Sequence, residues 1–188
     1  MSSPRLKICG VNDAAFAVEA ERCGADYIGL IFAAGSPRQV TVEQAKEVVR
    51  ALGGTARTVG VFTTATVSEI TEIAAVVGFG IVQLHRRASE EDVRALKDAG
   101  FEVWALAGGA AADALLFDSS HGDGERALRR GPWKAVLAGG ISSGNIAEAM
   151  KSGADVVDVS GSLESSPGVK SIALLHGFMD VFHRCRCG

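Results

Sequence analysis

Short apolar runs alternate with longer amphipathic stretches along the whole chain. The runs at 6–9, 27–32, 58–62, 81–85, 103–106, 114–118, 135–138 and 156–160 are rich in Val, Ile, Leu, Ala and Phe, as expected of strands buried on both faces. Most segments between them hold 10–15 residues with helical spacing of apolar positions. Thr41 with Gln44 and Thr66 with Glu69 predict capping boxes, in which a side-chain oxygen takes an orphan helix N–H. Ser89, followed by Glu90, Glu91 and Asp92, puts negative charge on a helix N-terminus. Gly24, Gly78, Gly100 and Gly153 mark helix ends.

A weak internal repeat points the same way. Gly24-Ala25-Asp26, Ala111-Ala112-Asp113 and Gly153-Ala154-Asp155 each precede an apolar run. Recurrent helix–turn–strand units predict a parallel sheet with helices outside it. Eight such strands fit a single-domain α/β fold over residues 1–188, a (β/α)8 barrel; an open doubly wound sheet is the competitor. One link breaks the pattern. Only six residues, 107–112, separate the fifth and sixth runs, too few for a crossover helix, which needs roughly a dozen or more. The barrel is therefore expected to lack or reduce that helix. The apolar strip left there should be shielded by flanking helices, the one after Ser89 included, with a second subunit as the alternative cover.

Composition narrows the class. The 188 residues carry 19 Lys+Arg, 22 Asp+Glu, a net charge of −3 and 47% hydrophobic residues. That balance argues against disorder and against nucleic acid as the main partner. The longest uncharged stretches, 73–85 and 135–147, are 13 residues each, short of the roughly 18 that a membrane helix needs. The first residues show no apolar core of a secretory leader, so the chain is expected in the cytoplasm. Cys9, Cys23, Cys185 and Cys187 form neither a disulfide framework nor a zinc-ligand spacing. The last two are expected as exposed thiols, and His121, His176 and His183 carry no site signal.

In a parallel barrel the reactive groups sit at the carboxyl ends of the strands. Those ends offer Cys9-Gly10, the loop from Phe32 to Arg38, Phe62, Gln83 and His85, Asp118, Gly139-Gly140 and Ser160-Gly161-Ser162. The two small-residue turns follow the seventh and eighth runs, where such barrels often hold phosphate on backbone N–H groups, so these amides are expected to converge. Each residue also has a plain reading. Cys9 suits a small buried hydrophobe, Asp118 a helix N-cap, Arg38 a solvated loop charge and His85 a satisfied strand-end histidine.

Lys7-Ile8-Cys9-Gly10, Gly35-Ser36-Pro37-Arg38, Val59-Gly60-Val61-Phe62, Gln83-Leu84-His85, Leu115-Leu116-Phe117-Asp118, Leu137-Ala138-Gly139-Gly140 and Val157-Asp158-Val159-Ser160 occur in that order, the last leading to Glu164 and to Pro167-Gly168-Val169-Lys170. Together they resemble the phosphoribosylanthranilate isomerase family of tryptophan biosynthesis, from about residue 5 to 182. The resemblance implies an Amadori rearrangement of a phosphosugar–anthranilate substrate, with no cofactor and no metal, by a monomer or homodimer. It makes Cys9 the base and Asp118 the acid. Arg38, Gln83, His85 and Asp158 would bind substrate, Arg38 by its guanidinium fork on the anthranilate carboxylate. Gly139, Gly140, Ser160, Gly161 and Ser162 would bind phosphate. A thiol serves as base where positive charge favours thiolate, and Asp118 must be protonated to donate.

Several positions depart from the family pattern. Arg86-Arg87 follows Gln-Leu-His, adding two charges near the mouth. The loop after the sixth run shortens to His121-Gly122-Asp123-Gly124, whose carboxylate would repel phosphate. Ser160-Gly161-Ser162-Leu163-Glu164 replaces the usual Ser-Ser-Gly-Val-Glu. Two rivals remain at this point: the related histidine-pathway aminoaldose isomerase, which carries a carboxylate where this chain has Cys9, and a non-catalytic or altered-specificity phosphate-binding barrel.

Overall fold

The computed structural model describes residues 3–110, 112–118 and 131–187. The shortened loop at His121-Gly122-Asp123-Gly124 lies outside the described residues, as do Ala111 of the repeat and the side chain of Cys187.

Eight parallel strands close into a barrel in chain order. They are β1 (Arg5–Cys9), β2 (Tyr27–Ile31), β3 (Arg57–Phe62), β4 (Ile81–Leu84), β5 (Glu102–Leu106), β6 (Ala114–Asp118), β7 (Lys134–Ala138) and β8 (Val156–Val159). Closure is by β1 on β8, with Lys7 opposite Asp158. The helices α1 (Ala14–Arg22), α2 (Val42–Ala51), α3 (Val67–Val77) and α4 (Glu90–Asp98) follow β1 to β4, and α5 (Ile146–Lys151) follows β7. After β8 come a 3-10 turn (Gly161–Leu163), a hairpin of β9 (Glu164–Ser166) and β10 (Val169–Lys170), and α6 (Ile172–Cys187). Both capping boxes form, at Thr41 with Gln44 and Thr66 with Glu69, and Ser89 accepts from the Asp92 N–H. The four helix-ending glycines all take positive φ. No helix among the described residues is long and apolar enough to cross a membrane.

The Asp of the internal repeat has a specific task. Asp26, Asp113 and Asp155 each accept the N–H of the second residue of the preceding strand, from Leu6, Val103 and Ala135, at 2.8 Å. Each also bonds through its own N–H and carbonyl to the strands on either side. One residue thus staples three strands at the amino end of the barrel, and it does so before β2, β6 and β8.

Inside the barrel, alternate residues of each strand meet in layers. At the amino end Glu102 accepts from Arg57 at 2.8 Å, Lys134 at 2.7 Å and the Trp104 indole at 2.9 Å. Above it lies an apolar plug of Tyr27, Val59, Ile81, Trp104, Ala114, Val136 and Val156. Among the described residues the buried polar side chains of Gln83, Asp118 and Asp158 stand above that plug, toward the carboxyl ends of their strands.

Among residues 107–110 the link from β5 to β6 is a turn, not a helix. The outward residues beside it are nonetheless covered within one chain: Val103, Ala105, Leu115 and Phe117 are all buried. Helix α4 reaches the gap through Lys97, which pairs with Asp113 at 2.9 Å. The two departures at Arg86-Arg87 make contacts in this region. Arg86 donates to Asp92 of α4 at 2.8 Å, and the Arg87 guanidinium lies over Gly108. Cys185 is half-buried, not the exposed thiol expected of a tail, because α6 continues through it.

Candidate active site

The carboxyl ends of the strands surround a cavity of about 580 Å³. Cys9, Arg38, Gln83, His85, Asp118, Gly139, Gly140, Asp158, Ser160, Gly161 and Ser162 all line it. The eleven residues to which the family resemblance gives catalytic, substrate or phosphate roles therefore reach one place. Ile31, Val61, Leu116, Ala138 and Ile141 supply an apolar wall, and Ser36 and Thr63 are further polar neighbours.

Cys9 and Lys7 lie two apart on β1 and point into the barrel. Lys7 is fully buried and donates to Asp158 Oδ2 at 2.6 Å. Gly29 on β2, in register with Cys9, makes room for both. A Cβ there would stand 2.8 Å from Cys9 Sγ and 3.2 Å from Lys7 Nζ. Burial pushes the Cys9 thiol up, reinforced by Asp158 and opposed by the ammonium groups of Lys7 and Lys170. Burial also pushes Asp158 up, against the pull of Lys7. Lys7 itself is disfavoured by burial, yet Asp158 and the thiol outweigh this and hold it above its ordinary value. A thiol, an ammonium and a carboxylate thus form one buried chain, of which the sequence reading had assigned only the two ends.

Asp118 ends β6, three strands round from β1, and is buried. His85 Nε2 lies 3.7 Å from its Oδ2. Among the described residues two buried acceptors in the cavity wall, Gln83 Oε1 and Asp158 Oδ1, take no hydrogen bond. Buried acceptors of this kind carry a desolvation cost of about 1–3 kcal/mol until a donor reaches them.

Arg38 is held in a buckle. Its Nε and Nη2 donate to Glu164 at 2.6 and 2.8 Å, and Glu164 also accepts from Lys170 at 2.8 Å and from the Gly168 N–H at 3.2 Å. Burial works against the Glu164 charge, but Arg38 and Lys170 prevail and hold it at about 2. Gly10, at φ 72°, lies beneath the Arg38 stem, where a Cβ would come within 2.6 Å of Cδ. The side of the fork that a free carboxylate was expected to take is thus filled from within. The Nη1–Nη2 end remains for a ligand.

The two small-residue turns are joined directly, Ser162 Oγ donating to the Ile141 carbonyl at 2.7 Å. Ser160 Oγ donates to the Cys9 carbonyl at 3.0 Å, and Lys170 Nζ to the Ser160 carbonyl at 3.0 Å. The N–H groups of Gly140, Gly161 and Ser162 donate to no other described residue. Lys7, Glu164 and Lys170 belong to the motifs read in the sequence, but sequence reasoning gave them no role. Lys7 had a usable signal: at two residues from Cys9 in a strand it must share the same face.

A parallel barrel with a thiol and a carboxylate at one polar mouth, beside paired small-residue turns, is the frame of a (β/α)8 sugar-phosphate enzyme. Residues 6–181 match the family model of N-(5'-phosphoribosyl)anthranilate (PRA) isomerase, and the chain belongs to that family. It is 35% identical to the N-(5'-phosphoribosyl)anthranilate isomerase of Rhodospirillum centenum, over 93% of this chain and 96% of that protein. The phosphoribosyl anthranilate isomerase of Thermus thermophilus superposes with a TM-score of 0.84 at 28% identity, covering 97% of this chain and 100% of the other. The TrpF of Jonesia denitrificans superposes with a TM-score of 0.86 at 28% identity, covering 98% and 99%. This membership favours neither the histidine-pathway rival nor a non-catalytic barrel.

Proposed function

We propose that the chain, acting as one phosphate-binding barrel domain, converts N-(5-phosphoribosyl)anthranilate to 1-(2-carboxyphenylamino)-1-deoxyribulose 5-phosphate in tryptophan biosynthesis. The reaction needs one proton delivered to the ring oxygen and one removed from C2, with no net gain or loss. Asp118 delivers the first as the C1–O bond breaks and the anilino nitrogen forms C1=N. Cys9 removes the second, and the enol so formed relaxes to the ketose. Membership of the isomerase family, with a thiol and a buried carboxylate in one cavity, supports this reading most directly.

The buried chain behind Cys9 accounts for how a desolvated thiol acts as base. Its proton passes to Asp158, whose carboxylate burial already predisposes to protonation, while Lys7 keeps its charge beside the new thiolate. The net charge of the three groups does not change, so no ion is left uncompensated in a low-dielectric site. The free end of Arg38 takes the anthranilate carboxylate, Gln83 and Asp158 accept from sugar hydroxyls, and the turns at Gly139-Gly140 and Ser160-Gly161-Ser162 take the phosphate. His85 orients Asp118.

Turnover followed by the decay of substrate fluorescence tests the assignment. Cys9→Ala and Asp118→Asn should each lower turnover by roughly 10²–10⁴-fold while a product analogue still binds. Near-normal turnover in Cys9→Ala would remove the base. Turnover of the histidine-pathway aminoaldose in place of the anthranilate would reinstate the rival substrate.

A further inference from the structure

A second concentration of reactive side chains lies outside the barrel, on the seam where α1 meets α6. Glu19 lies on α1 and Cys23, four residues on, is its C-cap with helical backbone angles, while His176 and Asp180 are four apart on α6, so each pair shares one face. Ligand atoms of Glu19, Cys23 and His176 all lie within 4.8 Å of one another. His176 Nε2 stands 2.5 Å from Glu19 Oε1, and Cys23 Sγ 3.7 Å from the same oxygen. Asp180 is near enough to act on the Cys23 thiol. None of these residues lines the active-site cavity.

The geometry points to a divalent-cation site of the zinc class at this seam, held by Glu19, Cys23 and His176 with the fourth position left to Asp180 or water. One sulfur, one imidazole nitrogen and one carboxylate oxygen form a mixed donor set that suits tetrahedral Zn²⁺ and its congeners, not Mg²⁺ or Ca²⁺. Two i, i+4 pairs on facing helices deliver ligands from both sides, as helical metal sites require. Metal–ligand bonds of roughly 2.0–2.3 Å set neighbouring ligand atoms more than 3 Å apart. The sulfur is already at that spacing, and the Glu19–His176 contact must open slightly. Arg22 grips both Glu19 oxygens, through Nε at 2.8 Å and Nη2 at 2.6 Å. Its exposed guanidinium swings into solvent when a doubly charged ion takes its place. Thiolate is the metal-binding form of cysteine, so binding exchanges S–H for S–Zn and releases a proton to solvent. Bound there, the ion ties the first helix to the last across the β1–β8 closure.

Zn²⁺ titrated into the reduced, metal-free full chain by calorimetry is the test. One equivalent should bind with release of a proton and raise Tm. Loss of a ligand should cost at least the roughly tenfold that supporting residues around metals cost, so Cys23→Ser and His176→Ala should each weaken binding by about tenfold or more. A Cys185→Ser/Cys187→Ser variant should bind as before. Co²⁺ should give a thiolate-to-metal charge-transfer band that Cys23→Ser abolishes. No uptake by the full chain, or uptake lost with the tail cysteines and kept in Cys23→Ser, would overturn the site. Turnover of metal-free Cys23→Ser should match the wild type, so a failed isomerase assay leaves this proposal standing and the converse holds too.

Discussion

At the scale of single residues, the site depends on what a glycine leaves out and what a lysine puts in. Gly29 has no Cβ to offer, and that gap is filled by Cys9 Sγ and Lys7 Nζ. The consequence is measurable in the reactivity of the thiol, since only thiolate is alkylated readily. Iodoacetamide rate against pH should rise at higher pH in Lys7→Gln than in the wild type, because the ammonium that opposes burial is gone. In Asp158→Asn the rise should move to lower pH, because a like charge has been removed. A purely structural role for Lys7 predicts no such opposed pair of shifts. Equal displacement of both profiles would therefore refute the proposed proton exchange. Cys9 and Asp118 were legible in the sequence because the family resemblance names strand-end positions. Lys7 was not assigned because its importance lies in its partner, 151 positions away in the chain, and register across β1 and β8 cannot be read locally.

At the scale of elements, the β9–β10 hairpin is a positioning device for Arg38. Gly168, at φ 83°, presses on the loop before Arg38, where a Cβ would meet the Pro37 carbonyl at 2.0 Å. Glu164 then fixes the guanidinium by its Nε edge. Glu164→Gln should raise KM for the anthranilate substrate with little change in kcat, since Arg38 would bind ground and transition states alike but be less well aimed. A fall in kcat at constant KM would show instead that Arg38 acts on the reacting centre. The repeat aspartates work at the same scale. Asp155→Ala leaves the Ala135 N–H without its 2.8 Å acceptor, and urea unfolding should register about 1–3 kcal/mol of lost stability. Asp113→Ala should cost a similar amount and also release Lys97 of α4. The repeat was visible in sequence as three look-alike tripeptides. Its meaning needed the topology, because each Asp serves a strand that precedes it by 20 residues or, at Asp113, by 10.

At the scale of the whole molecule, charge is placed at the two ends of the barrel and excluded from the middle. Strand runs read from hydrophobicity began at 58, 103 and 135, whereas the strands begin at Arg57, Glu102 and Lys134. Those charges look like loop residues taken singly, yet together they form one layer drawn from β3, β5 and β7, in which Arg57 and Lys134 share the Glu102 carboxylate. Burial works against the Glu102 charge, but Lys134, Trp104 and Arg57 outweigh it and hold the carboxyl at about 2. Glu164 is held at about 2 at the opposite end. Both lie below the ordinary value of 4.5, so each contributes stability that is fully present above that value and is lost as pH falls toward 2. Thermal unfolding of the wild type should therefore weaken steeply between about pH 5 and pH 2. Glu102→Gln keeps the size of the side chain but has no proton to gain. It should be less stable than the wild type at pH 7, and the gap should close as the pH approaches 2. A gap that stayed constant across the titration would mean that Glu102 holds the barrel floor by packing alone.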